Sequence, residues 1–236
     1  VTTQPGYPVP DRGATFAGAD VEQLPLLEEN GFLIDLDAVP KETWERAAIL
    51  WLNYPNNPTG AVAPVQFLHR AAELSREYAF LLACDEAYSE LWFDTPPHSA
   101  LEVRAEGNVA VFNTLSKRSS MTGYRSGFVA ASIVAWNDEE HVERTRDAYR
   151  RKREALLPTL AGKGVRVAGG GATMFLWLEV PGDEPSEEFA ARLLEHGLIV
   201  SPGTFFGSAG EGYWRMALVP TEAECRGAAE ILEHAL

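Results

Sequence analysis

The chain has 236 residues, 46% of them hydrophobic, and a formal net charge of −14. That much apolar material can bury the core of one large or two small domains, while the acidic balance argues against a nucleic-acid partner, whose phosphates are gripped by Lys and Arg. Cys84 and Cys225 are too few for a disulfide framework, no apolar run approaches membrane-spanning length and no charged leader precedes an apolar segment, so a soluble protein of the cytoplasm is expected.

In chain order, the first clear elements are three short apolar runs: Ala48-Ile49-Leu50-Trp51-Leu52, Phe80-Leu81-Leu82-Ala83-Cys84 and Val109-Ala110-Val111-Phe112. None alternates with polar residues, as suits strands buried on both faces of a parallel sheet between helix layers. Within 65–78, Phe67, Ala71, Leu74 and Tyr78 recur at helical spacing. A strand, helix, strand unit follows, with a right-handed crossover and ligand-facing loops at the carboxyl ends of the strands. Cys84, inside an apolar run, is expected to be a small buried hydrophobe.

The second half changes character. A charged helix is expected over 138–157, and its basic run Arg150-Arg151-Lys152-Arg153, flanked by Asp147 and Glu154, reads as a solvated helix face. Gly169-Gly170-Gly171 lacks the spacing of a dinucleotide fingerprint and reads as a turn before the strand Met174-Phe175-Leu176-Trp177-Leu178. A helix over 186–195 closed by Gly197, strands near 198–200 and 213–218, and a last helix opened by a Thr221/Glu224 capping box complete a smaller α+β unit.

The polar residues that follow the first three strands share one sheet edge. Asn53-Tyr54-Pro55-Asn56-Asn57-Pro58-Thr59-Gly60 follows the first, Asp85-Glu86-Ala87-Tyr88 the second and Thr114-Leu115-Ser116-Lys117 the third. An amide, a carboxylate, a phenol and an amine converging on one crevice mark a candidate site. A lysine at the mouth of an apolar strand can lose its proton and act as a nucleophile. Taken singly, Asp85 also suits a helix cap and Asn57-Pro58-Thr59-Gly60 a tight turn. No metal-ligand spacing is apparent.

In this order, Asn56-Asn57-Pro58-Thr59-Gly60, Asp85-Glu86-Ala87-Tyr88, Ser116-Lys117 with Arg125 eight residues beyond the lysine, and Trp214-Arg215-Met216-Ala217 resemble the fold-type I pyridoxal-phosphate enzymes, and among them the class I and II aminotransferases. The resemblance implies a large cofactor-binding domain over 1–130 and a small C-terminal domain over 131–236. It implies that Lys117 condenses with the cofactor aldehyde and shuttles a proton, and that Asp85 lies under the pyridine nitrogen. By the same resemblance Asn57 and Tyr88 bond the ring oxygen, Tyr7 stacks on the ring, and Thr114, Ser116 and Arg125 cradle the phosphate. Arg215 takes the substrate carboxylate, carried in by closure of the smaller domain.

The implied reaction moves an amino group between an amino acid and a 2-oxo acid such as 2-oxoglutarate, in a homodimer. The segment from Ser116 to Phe128 looks most like N-succinyldiaminopimelate aminotransferases of lysine biosynthesis. LL-diaminopimelate, aspartate and alanine aminotransferases, a β-lyase using the same cofactor grip, and a non-catalytic sensor module stay open. The resemblance further implies that an N-terminal part of the large domain lies outside this sequence, and that a loop and long helix are missing between Ala130 and Ala131.

Overall fold

The computed structural model describes residues 1–103, 105–122, 139–169 and 171–236. Arg125 and the Ala130–Ala131 junction, and with them the expectations placed there, lie outside these. In chain order the strands and helices are β1 (Thr2–Gln4), α1 (Val9–Phe16), β2 (Gln23–Pro25), α2 (Lys41–Arg46), β3 (Ile49–Asn53), α3 (Val65–Glu77), β4 (Leu81–Asp85), β5 (Val109–Phe112) and α4 (Leu115–Arg118). There follow α5 (Glu139–Gly162), β6 (Phe175–Glu179), α6 (Ser186–Glu195), β7 (Ser201–Pro202), β8 (Tyr213–Ala217) and α7 (Glu222–Ala235).

Strands β3, β4 and β5 form the expected parallel sheet, in that order. A smaller parallel pair, β1 with β2, is tied to it through Val1, whose amino group donates to the Ile49 carbonyl at 2.8 Å and whose carbonyl accepts from Trp51 N–H at 2.9 Å. One sheet face is buried: Leu50, Leu52 and Leu82 lie in a core with Leu68, Ala71, Ala72 and Leu74 of α3. The opposite face departs from expectation. Ile49, Leu81 and Phe112 are 43%, 37% and 46% exposed, whereas Asn53 and Ala83 on the same face are buried, so among the described residues this face is only partly covered. Cys84 is the buried hydrophobe expected, and burial pushes its thiol up to about 12.

The second sheet is antiparallel, ordered β6-β8-β7, and packs with α5, α6 and α7 around Leu176, Leu178, Trp214 and Leu232. Here β7 lies three residues later than the expected strand and is only two residues long. Pro202 has no N–H to extend the ladder, and Ile199 is 87% exposed. The basic run of α5 is less solvated than expected. Arg150 pairs with Asp147 and Arg151 with Glu222, but Lys152 donates to the Leu218 carbonyl at 3.1 Å and Arg153 lies 4.8 Å over the Phe93 ring. Arginine and lysine stems pack readily while their heads find partners.

The two sheets meet. Trp177 of β6 stacks on Tyr213 at 5.4 Å and meets Phe206 edge-on at 5.8 Å, and both Trp177 and Phe206 belong to the core of the parallel sheet. Arg166 adds a bridge from Glu179 of β6 to Glu28 of the first half. Gly169 lets the chain pass directly against the 53–60 turn, since a Cβ there would sit 1.7 Å from the Thr59 carbonyl oxygen.

Candidate active site

Register sets the site. Asn53 pairs with Asp85, and Asp85 with Phe112, so the segments leaving β3, β4 and β5 start from one row. The 53–60 segment is a buried turn built on its own amides: Asn56 Oδ1 accepts from Thr59 N–H at 3.1 Å and from Thr59 Oγ1 at 2.8 Å. Gly60 closes it at a φ of 70°, a region that favours glycine. The turn presents Asn57, whose Nδ2 donates to the Tyr88 hydroxyl at 3.5 Å while its Oδ1 accepts from Arg215 Nη1 at 2.9 Å.

Asp85 ends β4, with Oδ1 accepting from Ala87 N–H at 3.1 Å. Burial holds its carboxyl above the ordinary carboxylate range, and one backbone N–H offsets only part of that cost. Such a group favours a cation beside it. Tyr88 is buried, its phenol pushed well above the usual tyrosine range by desolvation, and within electrostatic reach of Arg215, Asp85 and Tyr7. The Lys117 Nζ lies 5.8 Å from the Tyr88 ring centre.

Lys117 sits on α4, directly after β5. Thr114 caps that short turn: its Oγ1 accepts from Ser116 N–H at 3.1 Å and donates to Ser116 Oγ at 3.0 Å. The two hydroxyls and the lysine therefore leave β5 as one group. Tyr7, 48% exposed, lines an apolar cavity of about 420 Å³ that also reaches Trp51 and Asp85.

Arg215 joins the two halves. It arrives from β8, which pairs with β6 in the second sheet, yet it bonds Asn57 of the first half. Its guanidinium lies between the Phe175 and Phe206 rings, 4.1 and 4.6 Å from their centres. Burial lowers its pKa to about 10, and its Nε has no hydrogen-bond partner. Among the described residues no carboxylate pairs with it. A desolvated guanidinium with open donor capacity suits a bidentate carboxylate ligand. In this structure it already lies against the first half.

Thus the expected Tyr7, Asn57, Asp85, Tyr88, Thr114, Ser116, Lys117 and Arg215 all fall at the carboxyl ends of the parallel strands or face them. Phe175, Phe206 and Ser201, whose Oγ lies 3.4 Å from Arg215 Nη2, were missed. Aromatic residues in apolar segments read as core, and only their contact with Arg215 shows another role. Asn53 was visible within the polar cluster, but nothing in its type or position separated it from the turn residues around it.

The family described as aminotransferase class I and II matches residues 1–137 and 130–232. The chain belongs to that family. It is 37% identical to the LL-diaminopimelate aminotransferase of Nitratidesulfovibrio vulgaris and 39% identical to that of Aquifex aeolicus, over 93% and 92% of its own length. It spans 64% of each of these relatives. A solved structure named as a probable N-succinyldiaminopimelate aminotransferase of Thermus thermophilus superposes with a TM-score of 0.88 at 29% identity, covering 100% of this chain and 71% of that one. The fold is that of the pyridoxal-phosphate-dependent aminotransferases, and pyridoxal phosphate is the cofactor that membership implies. The donor set fits it: a half-buried carboxylate without a cationic partner among the described residues, an amide and phenol side by side, two hydroxyls, and an amine. Among the described residues no helix is long and apolar enough to cross a membrane.

Proposed function

We propose that the protein is a pyridoxal-phosphate-dependent aminotransferase that takes the amino group of an LL-diaminopimelate-type donor and passes it to a 2-oxo acid, 2-oxoglutarate in the first instance. The observation that carries this reading is Arg215, a half-buried guanidinium between two aromatic rings, bonded to Asn57 and open to an anion. A 2-amino acid offers the carboxylate it lacks. The division into a cofactor-binding domain over 1–130 and a smaller domain over 131–236 belongs to the same reading, supported by the two packed cores. So does the homodimer, which family resemblance supports.

Pyridoxal phosphate supplies an aldehyde that captures the donor amine and a ring that stores the electrons of the broken Cα–H bond. The protein's part is binding, orientation and proton movement. Asp85 would hold a cationic ring nitrogen with its half-buried carboxylate, and Asn57 and Tyr88 would fix the ring oxygen. Thr114, Ser116 and Arg125 would hold the phosphate, and Tyr7 would cover the ring. Lys117 would hold the cofactor aldehyde and would move a proton at the donor Cα. Arg215 would fix the donor carboxylate in an aromatic slot, which would orient the Cα–H bond.

The relatives' names support LL-diaminopimelate as donor, and the Thermus neighbour supports its N-succinyl form. Glutamate formation from 2-oxoglutarate, measured with each donor in turn, tests the proposal. Glutamate in step with consumption of LL-diaminopimelate is the expected result. Faster turnover of the N-succinyl form reverses the donor assignment. Release of ammonia without any need for an oxo acid points to a lyase, and no turnover with either donor contradicts the reading.

A further inference from the structure

We propose that Asn53 is a positioning residue whose side-chain amide braces the Asp85 and Asn57 loops at a fixed separation. The inference rests on the aminotransferase reading, in which those loops hold two edges of one cofactor. Asn53 is 6% exposed and ends β3 opposite Asp85 in the parallel ladder. Its Nδ2 donates to the Asp85 main-chain carbonyl at 3.0 Å, and its Oδ1 accepts from the Asn57 main-chain N–H at 2.9 Å. One planar amide thus spans the two loops, using a donor on one side and an acceptor on the other.

Both partners are main-chain atoms, so the brace fixes where the loops run without itself occupying the Asp85 carboxylate or the Asn57 side chain. The effect reaches further through Asn57, which bonds the Tyr88 hydroxyl and Arg215. Regular sheet hydrogen bonding stops at this row, and a turn such as 53–60 does not set its distance from a neighbouring loop by itself. Burial keeps water from substituting for the amide, so loss of either bond leaves a main-chain group short of a partner. Few side chains meet both demands. Leucine has similar volume and makes neither bond; aspartate keeps an acceptor for Asn57 N–H but sets an oxygen against the Asp85 carbonyl.

The test compares wild type with Asn53→Leu, Asn53→Asp and Ser75→Ala. Ser75 serves as the control: its hydroxyl donates to the Ala72 carbonyl and accepts from Asn108 N–H, at the other end of the sheet. Three quantities are read: amide hydrogen exchange at Asn57 in the cofactor-free chain, the dissociation constant for pyridoxal phosphate by equilibrium dialysis, and the pH at which the visible band of the loaded chain titrates. Asn53→Leu is expected to speed Asn57 exchange and weaken cofactor binding by about tenfold or more, the scale of a lost buried hydrogen bond, and to move the titration. Asn53→Asp weakens the cofactor while keeping Asn57 N–H the better protected of the two variants. Ser75→Ala lowers thermal stability and changes none of the three. The proposal is overturned if Asn53→Leu matches wild type in Asn57 exchange and cofactor affinity, or if Ser75→Ala moves them as much. Should wild type bind no pyridoxal phosphate, the functional reading falls, and Asn57 exchange alone decides whether Asn53 braces the loops. Asn53→Asp, nearly isosteric, keeps the comparison available if the leucine variant does not fold.

Discussion

Asp85 and Arg215 carry opposite charges, and burial disfavours the charged form of each. In the absence of a ligand that is a cost to the fold. The Asp85 carboxyl has a folded-state pKa above its ordinary 3.8, so between the two values the folded chain keeps a proton that the unfolded chain releases. Stability from this group is therefore greatest at low pH, falls as pH rises through that window and stays lower above it. Asp85→Asn removes the dependence. The cofactor-free variant is expected to melt above wild type at neutral pH, with the gain vanishing below the ordinary carboxylate pKa, while its affinity for pyridoxal phosphate falls. Melting curves across pH check this; an Asn variant less stable than wild type at pH 7 contradicts the electrostatic account of Asp85.

At the scale of elements, local chemistry decides where each one stops. The capping box of α7 is reciprocal: Thr221 Oγ1 accepts from Glu224 N–H at 3.2 Å, and Glu224 Oε2 accepts from Thr221 N–H at 2.7 Å. Thr221→Ala is expected to cost about 1 kcal/mol in chemical denaturation, without effect on cofactor affinity. Gly169→Ala belongs to a different class. Its Cβ meets the Thr59 carbonyl, backbone that does not yield as a flexible side chain would, so a loss of roughly 1–3 kcal/mol is expected, with weaker cofactor binding as the 53–60 turn shifts. Equal cofactor affinity in the glycine and alanine forms would show that the turn is not held from this side.

The strands most legible in sequence were those with unbroken apolar runs, and even there β3 and β4 each run one residue past the expected end. Asn53 and Asp85 are polar, but they still pair in the ladder. The short β1, β2 and α1 carried no periodic signal; Val1 and its bonds to β3 hold β1 beside the larger sheet. The site was legible because its ionisable residues follow strands directly. Its aromatic slot and its brace were not, since Phe175, Phe206 and Asn53 take their roles from contacts between distant segments.

For the molecule as a whole, the central feature is a cofactor-type constellation on a parallel sheet, completed by an arginine from an antiparallel one. Trp177, Phe206 and the Arg166 bridge hold the two sheets together, so Arg215 reaches Asn57 in the structure as it stands. The chain spans 64% of its diaminopimelate relatives, yet it carries the three strand ends on which this constellation depends. Lys117 is its proposed reactive member. Incubation with pyridoxal phosphate, borohydride reduction and peptide mass mapping test that directly, because reduction traps the amine that has condensed with the aldehyde. The account predicts the pyridoxyl group on Lys117, and none in Lys117→Ala; a label on Lys41, Lys152 or Lys163 instead, or on no lysine, would contradict it.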